Sequence, residues 1–218
     1  MAACFIIGAA GKVGLRLTRQ LSAKQHAVSA LHRKPEQAAT LQAAGAQPVS
    51  GDIQQLTVDE LAQKMAGHEV VVFTAGAGGA GIALTNAIDG DGLDLAVAAA
   101  EQAGVPRFIL VSAFPDAGRG KAISEGFENY MRVKRLADAR LVASGLEWVI
   151  LRPGTLTDAA GTGRVQADLA IPYGEIPRDD VAATLAGLIE TPAIKYQIIE
   201  LTSGDQPIET ALQRLQRY

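Results

Sequence analysis

Short apolar runs alternate along the chain with longer stretches whose apolar residues recur every three or four positions. The runs lie at 3–8, 27–32, 46–50, 69–74, 107–112, 147–152 and 197–202; the helical patterns lie at 13–23, 35–44, 57–65, 84–102, 125–144 and 179–190. Val70-Val71-Val72-Phe73 and Phe108-Ile109-Leu110-Val111 are apolar at every position, so both faces of those strands must be covered. Continuous runs of this kind mark parallel strands sandwiched between helices. The pattern predicts a single doubly wound α/β domain over 1–218, with a mostly parallel sheet and helices on both faces.

Boundary chemistry supports several of these elements. Thr85 or Asn86 can cap the long fourth helix, and Gly104 followed by Pro106 stops it. Gly145 ends the fifth. The Gly/Ala-rich piece 75–81 reads as a loop after the fourth strand. Between Pro153 and Pro177 the alternation lapses into Gly, Thr and Pro, and this stretch is expected to form a small substrate-side segment.

Composition narrows the class. With 218 residues, 48% hydrophobic and 20% charged, the chain can bury one sizeable core. A net charge of −3 and an aromatic content of 5% give no drive toward nucleic acid or an anionic membrane. Cys4, the single cysteine, sits in an apolar run and reads as a small buried hydrophobe. No Cys/His spacing suggests a metal site. The first residues lack a basic leader, so the expected location is cytoplasmic.

The chemistry begins at Ile7-Gly8-Ala9-Ala10-Gly11-Lys12-Val13-Gly14, between the first strand and the first helix. Gly8 permits a tight turn, Gly11 lets backbone approach a pyrophosphate, and Gly14 lets the helix pack close to the strand. The helix start, with Lys12 and Val13, adds unpaired N–H groups and partial positive charge. In strand–turn–helix context this is the Rossmann-type dinucleotide fingerprint. The second strand ends at His32-Arg33-Lys34, with no carboxylate before Glu36 to accept from a ribose hydroxyl. Arg33 and Lys34 suit a 2′-phosphate, which favours NADP(H) over NAD(H); the competing reading is a solvated basic turn. Asp52 can accept from an adenine amino group while Ile53 packs on the ring, or Asp52 can be a turn aspartate. Thr74-Ala75-Gly76 presents small-residue backbone where the cofactor must pass.

Together these segments resemble the short-chain dehydrogenase/reductase superfamily, in its atypical, small, NAD(P)-binding branch related to NmrA-like and epimerase-like proteins. The resemblance spans nearly the whole chain and includes Gly104 to Ser112, Tyr130 to Lys134, Leu151-Arg152-Pro153-Gly154 and Ile176 to Ala182. Tyr130-Met131-Arg132-Val133-Lys134 fits the family's Y-x-x-x-K motif, and i, i+4 spacing puts phenol and ammonium on one helical face. A cation beside the phenol would lower its pKa from about 10 and suit it to acid/base work. The alternative is an amphipathic face without chemistry.

The resemblance further implies that Lys134 bonds the nicotinamide ribose, that Ser112 orients the substrate oxygen, and that Pro153 lies over the nicotinamide. The sequence departs from the family at Asp89, where an asparagine normally supports a proton relay. The expected activity is reduction of a small carbonyl, quinone or related electrophile by NADP(H). A redox-sensing regulator without turnover is the second reading. The expected partner is a small-molecule substrate, not nucleic acid or membrane.

Overall fold

Alternate side chains of each central strand enter different cores, which is why the sheet is apolar at successive positions. Cys4 and Ile6, Val70 and Val72, and Val149 and Leu151 join one core; Phe5 and Ile7, Val71 and Phe73, and Ile150 join the other. A computed structural model describes residues 1–217. Its strands are β1 (Ala3–Ile7), β2 (Ala27–His32), β3 (Gln47–Ser50), β4 (Val70–Phe73), β5 (Arg107–Val111), β6 (Glu147–Pro153), β7 (Thr155–Thr157), β8 (Arg164–Asp168), β9 (Glu175–Pro177), β10 (Gln197–Ser203) and β11 (Gln206–Pro207). Its α-helices are α1 (Lys12–Ala23), α2 (Pro35–Ala43), α3 (Val58–Met65), α4 (Ile82–Thr85), α5 (Gly92–Ala103), α6 (Glu125–Val142), α7 (Arg178–Glu190) and α8 (Ile208–Leu215).

The nine-stranded sheet runs β11-β8-β10-β6-β5-β4-β1-β2-β3. From β10 to β3 all neighbours pair in parallel. Residues of α1, α2, α7 and α8 pack on one face and residues of α3, α5 and α6 on the other. This is the single doubly wound α/β domain that the apolar runs predict. Strand order reverses between β1 and β4, and ligands of such sheets bind in the crevice at that point.

Two expectations change. Thr85 and Asn86 do not cap a helix: helical structure begins at Ile82, and Asn86–Asp91 form a π-helical turn before α5. Thr85 instead returns its hydroxyl to the carbonyl of Gly81 at 3.0 Å. Nor is 153–177 without strands. It holds β7 and β9, paired in parallel as a small second sheet, and β8, which runs antiparallel to β10 in the main sheet. Three-residue strands carry too few positions to show a period, so the lapse in the sequence hid them.

Candidate active site

The glycine turn is built as its spacing demands. Gly8 has φ of +85°, and a Cβ there would collide with the backbone of Ala75. A Cβ on Gly14 would collide with the carbonyl of Gly8 and stand 2.8 Å from Cα of Ala9, so the helix start can lie against the turn only without a side chain. A Cβ at Gly11 would come within 3.1 Å of the Gly8 oxygen alone. The Gly11 amide closes the turn onto that oxygen at 2.9 Å. Gly11 caps α1 with no side-chain acceptor, so the first N–H groups of the helix have no intrahelical partner.

A cleft of about 250 Å³ opens beside this turn, lined by Gly8, Gly11, Arg33, Asp52, Ile53, Thr74, Ala75 and Gly76 among the residues singled out from the sequence. It also takes in His32, Gln37, Gln54 and Ile88, which sequence reasoning missed. Arg33 is exposed and, among the described residues, its side chain has no hydrogen-bond or ion-pair partner. Lys34 is exposed as well, outside the cleft lining; its amide donates to Gln37 Oε1 at 3.1 Å. Asp52 is a turn aspartate in fact, accepting from the Gln54 amide at 3.0 Å, and it still lines the cleft.

Lys12 and Val13 are in the first turn of α1 but outside the cleft lining. The Lys12 ammonium pairs with Asp158 at 2.6 Å, and Arg16 and Arg178 reach the same carboxylate. That pairing spans 146 residues and left no mark in the local sequence.

The second half of the site lies beyond Gly76. There the π-helical turn directs Asp89 inward, and a Cβ on Gly76 would be 3.1 Å from its Oδ1. Asp89 Oδ2 accepts from the Ala77 amide at 2.9 Å. Its Oδ1 accepts from the Lys134 ammonium at 3.4 Å, and the two side chains are only 2% and 4% exposed. Lys134 also donates to the carbonyl of Val111 at 3.0 Å. Two of its three N–H groups are therefore engaged, and the third has no protein acceptor among the described residues.

Tyr130, one helical turn before Lys134, is half-buried, with its ring 6.2 Å from that of Phe127. Burial, with the Asp89 carboxylate next and smaller effects of Asp138 and Tyr173, pushes its phenol above the ordinary value. This corrects the expectation that Lys134 would lower it: burial disfavours the phenolate most, and the Asp89 carboxylate adds to that effect. Ser112 follows β5, and its amide donates to the Leu151 carbonyl at 2.8 Å. Its Oγ is buried with no hydrogen-bond partner among the described residues. Pro153 is buried at the end of β6.

Asp138 was also missed. It sits one turn beyond Lys134 and takes both Nε and Nη2 of Arg152 on a single oxygen, at 3.0 and 2.8 Å. A Tyr–Lys–Asp series at four-residue spacing was the available signal.

A doubly wound sheet with a glycine turn and a cleft at its switch point defines a dinucleotide-binding α/β protein. The chain belongs to the NAD(P)H-binding family, whose model matches residues 8–192. The resemblance carried by its motifs therefore holds at family level. It is 39% identical over 213 residues to the Bacillus subtilis (strain 168) protein named "Uncharacterized sugar epimerase YhfK", covering 97% of this chain and 99% of that one. Among solved structures it is similar to the oxidoreductase YlbE from Lactococcus lactis, at a TM-score of 0.87 and 29% identity, covering 99% of this chain and 97% of that one. It is also similar to ChuY, titled an anaerobillin reductase, from Escherichia coli O157:H7, at a TM-score of 0.79 and 30% identity over 93% of this chain and 98% of that chain. No helix among the described residues is long and apolar enough to cross a membrane.

Proposed function

We propose that the protein is an NADP(H)-dependent oxidoreductase that reduces a small carbonyl, quinone or related electrophile. The observation that carries this reading is the continuity of the site: Gly76 lines the dinucleotide cleft, and Asp89, packed against it, holds the Lys134 ammonium. The residues fit the cofactor. The backbone from Gly8 to Gly14 leaves no room for side chains at two of its glycines and offers the helix N–H groups to a pyrophosphate. Arg33, with Lys34 behind it, would take the 2′-phosphate; Asp52 and Ile53 would face the adenine. Thr74, Ala75 and Gly76 would flank the cofactor, with Ser112, Lys134 and Pro153 at the nicotinamide end.

NADPH, when bound, supplies a hydride. The protein's own residues handle the substrate oxygen. Ser112 Oγ, buried and unpartnered, is a donor in search of an acceptor, and an unpaired buried hydroxyl is costly unless a ligand satisfies it. Tyr130 Oη holds the proton to be delivered, and its raised pKa keeps it protonated at neutral pH. The free N–H of Lys134 is available to a ribose hydroxyl. Segment 153–177 forms the substrate side, where the Tyr173 hydroxyl lies 2.6 Å from Thr155 Oγ1 and its ring 5.2 Å from that of Phe114. The names of YlbE and ChuY support the reductase class. A small-molecule partner, not nucleic acid or membrane, accords with the net charge of −3.

One observation favours a second reading, an NADP(H)-sensing regulator. Asp89 pairs with the Lys134 ammonium and, after burial, raises the phenol of Tyr130 rather than letting it fall. NADPH oxidation against a panel of aldehydes and quinones separates the two. The reductase reading expects turnover above the cofactor's own background with at least one electrophile. Tight NADPH binding with no turnover across the panel would put the regulator ahead.

A further inference from the structure

Among the described residues, Asp89 is the carboxylate that touches both halves of the site, and it comes from neither the glycine turn nor the Y-x-x-x-K helix. Its Oδ2 accepts from the Ala77 amide, at the end of the segment whose Thr74, Ala75 and Gly76 line the cleft. Its Oδ1 faces the Lys134 ammonium. The backbone around it is specialised for this. Asn86–Asp91 form a π-helical turn, wider than an α-turn, and such turns are frequent at functional sites. Asn86 anchors the turn to α6 by accepting from Asn129 Nδ2 at 2.9 Å. The preceding residue, Ile88, reaches the cleft lining, so the turn presents one side chain to the cofactor space and the next to Lys134.

We propose that Asp89 is the positioning residue of this site, joining the cofactor-lining segment 74–77 to Lys134 and setting the charge that Tyr130 experiences. The inference rests on the oxidoreductase reading for its use in catalysis, but the coupling itself does not. Every charged or titratable group facing Tyr130 enters the balance. Asp138 comes from its own helix, Asp89 from the π-helical turn, and Tyr173 from the loop after β8. Behind the two carboxylates stand their cation partners, Lys134 for Asp89 and Arg152 of β6 for Asp138. Of the two carboxylates, Asp89 acts more strongly on the phenol. Burial raises the phenol most, and the Asp89 carboxylate, next in weight, adds to it, so the proton stays on Tyr130. Asp89 thereby reinforces what burial does to the tyrosine and holds the ammonium at the edge of the cofactor space.

The test is a pH titration of Tyr130 by NMR of the protein labelled with ¹³C at tyrosine Cζ, with the signal assigned by its loss in Tyr130→Phe. Unmodified protein, Asp89→Asn and Asp89→Glu are compared without cofactor or substrate. Asparagine can still accept from the Ala77 amide, so the turn is retained while the charge is lost. Tyr130 should remain a phenol through pH 10 in the unmodified protein and in Asp89→Glu. In Asp89→Asn its midpoint should fall by roughly one pH unit or more. Should Asp89→Asn not fold, Asp89→Ser is expected to give the same downward shift. An equal Tyr130 midpoint with and without the carboxylate would overturn the proposal. Failure of the reductase reading would appear elsewhere, as no NADPH oxidation by the unmodified protein.

Discussion

Arg33 lines the cleft, and among the described residues its guanidinium has no partner, while Lys12 and Arg16 at the start of α1 are already paired with Asp158 and Asp179. Discrimination between NADPH and NADH should therefore rest on this side chain. A charge-assisted hydrogen bond contributes about 1.5–3 kcal/mol, so the preference should be about tenfold or more. Arg33→Ala should remove most of it in calorimetric titrations of the two cofactors; an undiminished preference would locate the discrimination elsewhere. Cys4 gives a second prediction. Burial pushes its thiol up to about 12, so native protein should resist thiol reagents at pH 8 and react on unfolding. Rapid labelling of the native protein would contradict its placement in the core. Arg33 and the Tyr130/Lys134 spacing could be singled out because their signals are local: a strand end, and a helical i, i+4 face. The Asp89–Lys134 pair spans 45 residues, and sequence reasoning marked Asp89 only as a departure from an expected asparagine.

The first turn of α1 separates packing from binding. Gly14 has no room for a Cβ, whereas Gly11 meets only a single oxygen at 3.1 Å. Gly14→Ala should overpack the helix–strand contact and cost about 1–3 kcal/mol in denaturant unfolding. Gly11→Ala should lose less stability and weaken NADPH binding, since its side would face the cofactor. Equal stability losses with unchanged affinity would contradict the assignment of the turn to the pyrophosphate. Long apolar runs such as Val70–Phe73 disclosed β4 almost residue by residue. The π-helical turn did not show, because its apolar spacing is helical at either pitch; β7, β9 and β11 did not, because pairing at long range, not local pattern, makes them strands. α8, by contrast, does carry a local signal. Its Ala211, Leu212 and Leu215 are buried at helical spacing.

Across the whole molecule, the parallel strands from β3 to β10 bring the glycine turn, Arg33, Gly76 and Ser112 to one edge, with helices packed on either face. The far end of the sheet has its own tie. Arg107, at the start of β5, is buried and donates to the carbonyls of Leu188, Pro192 and Ile194 where α7 ends. Arg107→Met should destabilise the domain by on the order of 3 kcal/mol, since each buried carbonyl left unsatisfied costs about 1–3 kcal/mol and water can recover some of it. Cofactor affinity, set at the opposite end of the strands, should persist in protein that remains folded; a parallel loss of NADPH binding would show the two ends to be coupled. The central claim is that the cleft and the Tyr130/Lys134 face of α6 serve one reaction. It is tested most directly by steady-state NADPH oxidation with any electrophile that supports turnover, comparing unmodified protein and Tyr130→Phe. General acid catalysis is worth roughly 10²–10⁴ in rate, so the variant should lose about that much turnover while binding NADPH as tightly as before. Equal rates in the two proteins would make Tyr130 an ordinary helix residue and contradict the account.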